Sequence, residues 1–185
     1  MTKEITIQVP DGKRAEWINS VLTLVDEPKV DNRPVTERIK TFEDACNALG
    51  NEHPFVKEYR YVANIVDIAQ DIIAYLKLRI IVAALNEGWE PQFTTDERRY
   101  YSWFWFYTKK EYDKMDEGGK QRCVLRSGSH TGANYGFVDV HANYGASHSV
   151  ANFGSRLVFR TSELAEYAGE QFIEEWADFM FKPNE

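Results

Sequence analysis

Three of the chain's four histidines, His130, His141 and His148, fall in one stretch. Imidazoles are common zinc ligands, but these fit neither a helical i, i+4 pair nor a known zinc motif, and neither Cys46 nor Cys123 joins them. They read as surface or ligand-contacting histidines. Ser129, Asp139 and His141 are the residue types of a hydrolytic triad. A triad also needs a nucleophile elbow and an oxyanion hole, and no Gly-x-Ser-x-Gly occurs. The acidic pairs Asp96-Glu97, Asp116-Glu117 and Glu174-Glu175 would serve glycoside hydrolysis only if burial raised one carboxyl, and they read as solvated turns or helix faces. The chain is therefore expected to be non-enzymatic, with no catalytic residue, metal or cofactor.

The three histidines belong to residues 127–155, which contain five Ser, five Gly, four Ala and three Asn, and no Lys, Arg, Glu, Leu or Ile. Ala133-Asn-Tyr-Gly136, Ala142-Asn-Tyr-Gly145 and Ala151-Asn-Phe-Gly154 repeat there at a spacing of nine. Three copies are too few for a solenoid, and short strands joined by Asn- and Gly-bearing turns are expected. Tyr, Ser, Gly and Asn also dominate antibody paratopes, where tyrosine gives rigid contact area and the small polar residues adapt their hydrogen bonds. A flexible surface loop is the plainer alternative. The regular spacing of the aromatics favours a ligand-binding surface comprising Asn134, Tyr135, Asp139, His141, Asn143, Tyr144, His148, Asn152 and Phe153.

Val124-Leu-Arg-Ser-Gly-Ser129 followed by Gly154-Ser-Arg-Leu-Val-Phe159 resembles the frame of C-type-lectin-like domains, which formylglycine-generating-type proteins share with the variable proteins of diversity-generating retroelements. In those variable proteins, adenine-directed mutagenesis leaves a stretch biased to Asn, Tyr, Ser, His, Asp, Gly, Ala and Phe, and residues 127–155 resemble one. Ile73-Ala-Tyr-Leu-Lys-Leu, Glu87-Gly-Trp-Glu-Pro91 and Arg160-Thr-Ser-Glu-Leu-Ala165 are similar to proteins of gut Bacteroidetes and their phages. The resemblance implies a lectin-like fold that displays a variable surface to a protein or glycan. This chain departs from the frame at Ser155, where an aromatic is usual, and in carrying a helix after the closing strand. Glu90-Pro91-Gln92 is similar to a lectin calcium-ligand motif but lacks its Trp-Asn-Asp partner, and a helix-to-loop turn is expected there. The alternative function is a small intracellular phage or prophage protein of structural or regulatory kind.

The elements that must position this segment are legible to different degrees. At 185 residues, 43% hydrophobic and 28% charged, the chain is expected to be one domain, 1–185. Its half up to about residue 90 should be helical and its later half strand-rich. The fold class expected is α+β: an antiparallel sheet packed against two or three helices. Strands are expected at residues 5–9, ending at Pro10-Asp11-Gly12, and at 17–25. Residues 26–34 read as a loop. Thr41 and Asp44 suggest a capping box, with Gly50 closing the helix. Ile65, Ile68, Ala69, Ile72, Ile73, Leu76, Ile80, Ala83 and Ala84 follow helical periodicity, so one long helix should end at Asn86 and Gly88, with Ile72, Leu76, Ile80 and Ala83 against the strand at 100–107. That strand has seven aromatics in eight residues and should be covered on both faces. Residues 109–121 read as a loop or hairpin connection, and 123–126 and 156–159 as strands. Thr161 or Ser162 should cap a last helix, about 162–180, with Leu164, Ala168, Phe172, Trp176 and Met180 as its apolar stripe.

A net charge of −7 argues against nucleic acid as a partner. Asp67, Gln70, Asp71, Lys77 and Arg79 in the most apolar stretch argue against membrane insertion. With no signal peptide and two distant cysteines, a cytoplasmic or virion-associated location is expected.

Overall fold

A computed structural model of the chain describes residues 7–26, 31–92, 94, 96–125, 137–146 and 156–181, of which 137–146 are described by their backbone. Where the sequence reads as one domain, the chain divides into two compact units, Met1–Arg33 and Pro34–Glu185.

The first unit is a hairpin. Lys13 N–H donates to the Pro10 carbonyl at 3.1 Å, and Gly12 takes φ +75°, so the expected turn is there. It precedes the first strand instead of ending one: residues 7–10 form no strand, and β1 is Lys13–Ile18. β2 is Val21–Asp26, antiparallel to β1 from Lys13 opposite Asp26 to Ile18 opposite Val21. The expected strand at 17–25 is thus cut in two. Asn19 and Ser20 take φ +49° and +65°, the pair of positive values that a two-residue type I′ loop requires. No glycine marks this turn, so β-branched content on either side hid it. Trp17 remains 72% exposed and Val21 62% exposed.

The second unit is helical on one side and carries the sheet on the other. Its first three helices are α1 (Val35–Arg38), α2 (Phe42–Leu49) and α3 (Pro54–Val62). The α2 capping box is present: Thr41 Oγ1 accepts from Asp44 N–H at 3.1 Å, and Asp44 Oδ2 accepts from Thr41 N–H at 2.9 Å. Gly50 closes the helix at φ +83°. Helix α3 was not anticipated, although Pro54 sits at its first turn, where a missing N–H does no harm.

Helix α4 spans Gln70–Asn86. Its second half is apolar all round, and Leu78, Ile80, Ile81, Val82, Ala84 and Leu85 are buried. Two corrections apply. Ile65 and Ile68 precede the helix, because the chain turns at Asp67 (φ +63°) and the apolar periodicity runs straight across that turn. Leu76 and Ile80 are buried as expected, but Ile72 is 45% exposed, and the main neighbours of α4 are α2, α3 and the C-terminal helices, not the aromatic strand. A helix buried on all sides needs partners on all sides, which one strand does not provide.

The aromatic run forms β3 (Arg98–Phe106), which pairs antiparallel with β4 (Phe137–Ala146). Between them lie α5 (Lys109–Tyr112), with a Thr108/Glu111 capping box, and α6 (Glu117–Gln121), capped by Asp116, where a plain connection was expected. Together these elements make an α+β fold. No strand forms at 123–125 or 156–159; the latter touches the sheet through one antiparallel bridge, Phe159 to Tyr100, with backbone bonds of 2.7 and 3.0 Å.

The expected last helix is two, α7 (Ser162–Gln171) and α8 (Ile173–Met180), broken at Phe172 (φ −115°, ψ 34°). Apolar residues every fourth position drift around a helix by about 40° per step, since four residues turn about 400°. Over five such residues the stripe would leave the core. The break at Phe172 re-aims it, and Leu164, Ala168, Phe172 and Trp176 are all buried.

Three capping carboxylates make stability pH-dependent. Asp44 is held below its ordinary value of 3.8 by the Thr41 side chain, then by the Lys40 and Thr41 N–H groups. Glu111 is held below 4.5 by the Thr108 N–H and hydroxyl, and Glu163 by its own N–H and the Thr161 and Ser162 hydroxyls. A carboxyl lowered by folding stabilises above its unfolded value of about 4 and ceases to as pH falls through its folded value. The melting temperature should therefore fall as pH drops from 5 towards 3. Asp44→Asn should reduce that slope in thermal scans followed by circular dichroism.

Candidate functional site

The site is built on β3. Ser102 Oγ donates to the Ala165 carbonyl of α7 at 2.6 Å, Phe104 lies 5.3 Å from Trp176 of α8, and Phe106 lies 5.2 Å from Phe181. Even-numbered residues of this strand thus face the helices. Strand side chains alternate, so the odd-numbered ones face the other way. There Trp103 and Trp105 have ring centroids 5.2 Å apart, and Trp105 and Tyr107 6.4 Å apart. The three rings form a continuous row. Trp103 and Tyr107 are half-buried and Trp105 is 49% exposed. The expectation of cover on both faces therefore holds for Tyr101 to Phe104 and fails at Trp105 and Phe106.

β4 runs beside this row and lies inside the 127–155 segment. Tyr144 is opposite Tyr100, Asn143 opposite Tyr101 and His141 opposite Trp103. The register then shifts between Trp103 and Trp105, and resumes with Val138 opposite Trp105. Asp139 falls in the irregular part; such bulges sharpen local twist. Four of the expected contact residues, Asp139, His141, Asn143 and Tyr144, therefore lie on one strand, with His141 and Asn143 paired opposite the odd-numbered Trp103 and Tyr101 and Tyr144 paired opposite Tyr100. Asn134, Tyr135, His148, Asn152 and Phe153 lie outside the described residues. One expectation is corrected: the middle repeat, Ala142-Asn-Tyr-Gly145, is strand and not turn. Its partner Tyr100–Ser102 is anchored in the core, and ladder bonds to a fixed strand outweigh the turn preference of Asn and Gly.

On the flanks of the segment, Leu157 and Phe159 are buried, Val124 packs against the core, and Leu125 is 43% exposed. Among the described residues no group of three His, Cys, Asp or Glu side chains is placed to hold a metal, and no helix is long and apolar enough to cross a membrane. Burial raises the Cys46 thiol, with Glu43 adding to the effect. The sequence reading missed the outward aromatic row, which the odd positions of the 103–107 run did signal, and it missed a cavity at the end of α4. No protein-family model, curated protein or solved structure matches the chain.

Proposed function

We propose that the chain is a non-enzymatic binding module. Its contact surface is the row Trp103, Trp105 and Tyr107 together with β4 and the rest of segment 127–155, and its partner is a protein or glycan. The observation that carries this reading is the direction of the row: three large rings stand on the face opposite Phe104, and half of Trp105 is open. Trp and Tyr give rigid, amphipathic contact area and are enriched among binding hot spots. The strand beneath them is tied down by Ser102 and Phe104, so the surface is largely pre-organised.

On this reading Trp105→Ala leaves unfolding free energy within about 0.5 kcal/mol, as exposed positions do. It weakens capture of the partner by about 30-fold or more, the effect of losing one hot spot. Equal capture by parent and variant, with unchanged melting, would sink the proposal. The resemblance to diversity-generating retroelement proteins adds that 127–155 is a varied surface, with a phage- or prophage-related setting. Sequencing this locus across a natural population should then show adenine-directed changes confined to those codons, beside a reverse transcriptase gene and a template copy.

A further inference from the structure

A cavity of about 380 Å³ opens in the Pro34–Glu185 unit, and its lining does not include Trp103, Trp105 or Tyr107. Its wall comes from the end of α2, the start of α3, the last two turns of α4, residues 88–91 and the 156–158 segment. That volume falls in the range of about 300–1,000 Å³ typical of small-molecule sites. Leu49, Phe55, Val82, Trp89 and Val158 make much of the wall apolar. Trp89 is set there by a reversal of the chain: Glu87 and Gly88 take φ +49° and +83°, and Trp89 N–H donates back to the Asn86 carbonyl at 2.9 Å.

Donors with positive charge or dipole meet this apolar wall from separate elements. Arg79 is fixed on α4, its guanidinium 4.1 Å from the Phe55 ring centroid and 2.7 Å from Glu58 Oε2. Arg156 is exposed and has no hydrogen-bond or ion-pair partner among the described residues. His53 caps α3: its Nδ1 accepts the Phe55 N–H at 3.2 Å, so the neutral ring carries its proton on Nε2 and keeps one donor to offer. The same helix start contributes the positive end of its dipole. Glu58 already neutralises Arg79, and among the described residues Glu90 is the one carboxylate of the wall, so the cavity suits one negative group and not several.

From this arrangement we infer a small-molecule site for an organic monoanion: a single carboxylate or phosphate-type group on a flat apolar body. Arg156 meets the anion, Arg79 and His53 border it, and Trp89 with Val82 covers the body. This site is independent of the binding surface proposed above.

The test uses the full chain and two matched probes, 2-naphthoate and its neutral carboxamide. Titrations are followed by the indole N–H signals of the five tryptophans, with Trp89 assigned from Trp89→Phe. Naphthoate should shift the Trp89 signal and bind about tenfold or more tighter than the amide, the ratio for a hydrogen bond to a charged group. Arg156→Gln, at an exposed unpaired position, should fold as the parent does and abolish that preference. Glu90→Gln should tighten naphthoate binding. Failure of naphthoate to bind at millimolar concentration, equal binding of the two probes, an undiminished preference in Arg156→Gln, or shifts on other tryptophans without Trp89 would each overturn the assignment.

Discussion

Trp176→Ala is expected to cost about 3–5 kcal/mol of unfolding free energy, the range for deleting a buried large aromatic. Trp176 has no exposed surface, sits in the main cluster with Leu78, Ile80, Phe159 and Phe172, and meets Phe104 at 5.3 Å. Its removal opens a void between α8 and β3, and neither wall can collapse freely: β3 is held by β4 and by the Ser102–Ala165 bond, and α8 is held against α4. Trp176→Phe keeps an aromatic against Phe104 and should cost clearly less. Urea unfolding with an unchanged m value checks both. A loss below about 1 kcal/mol for the alanine variant would mean that this site repacks, and that β3 does not rest on α8 as described.

The expected α+β class holds, and the local signals that proved sound have local causes. Thr41, Asp44 and Gly50 act through bonds within one turn, so their meaning does not depend on what packs nearby. Ile65 to Ile72 misled for the opposite reason. The spacing is helical, but a left-handed Asp67 interrupts it, and nothing in residue type announced that. Asn19-Ser20 is a similar case, a primed turn without glycine. The C-terminal stripe was read correctly as buried and wrongly as one helix, because five residues at fourth positions cannot share one face without a break.

The candidate surface was legible in part. Composition singled out 127–155, and β4 lies within it, but composition carries no information on register. That register comes from β3, whose aromatic run reads from the sequence chiefly as core, with stacking on a base or sugar as the lesser alternative. Reading its odd and even positions separately divides it: Ser102, Phe104 and Phe106 meet the helices, while Trp103, Trp105 and Tyr107 form the outward row. The cavity was not legible at all. Its residues are drawn from stretches more than a hundred positions apart, His53 and Arg156 among them, and only tertiary packing assembles them.

Asn86 explains why residues 156–159 stop short of being a strand, and its replacement should be the costliest polar change in the chain. Phe159 spends both backbone groups on Tyr100. The neighbouring groups, Val158 C=O and Arg160 N–H, point to the other side, where a further strand would lie. Asn86 stands in for that strand: Nδ2 donates to the Val158 carbonyl at 2.8 Å, and Oδ1 accepts the Arg160 N–H at 3.1 Å. Glu87 beside it pairs with Arg38 and Arg160 and holds the same junction from outside. Asn86 itself is 3% exposed, so Asn86→Ala strands two backbone groups at a cost of about 1–3 kcal/mol each, or about 2–6 in sum. Asn86→Asp separates the two bonds. The carboxylate can still accept from Arg160 N–H, but it faces the Val158 carbonyl without a proton to give. Burial and that carbonyl should raise its folded pKa above the unfolded value of about 4, so the penalty is present at neutral pH and shrinks as pH falls through the folded value. The melting temperature of Asn86→Asp should therefore approach that of the parent between pH 7 and 5, while Asn86→Ala, measured beside it, stays a constant distance below. A parallel course for the two variants would show that the donor to Val158 contributes nothing to stability.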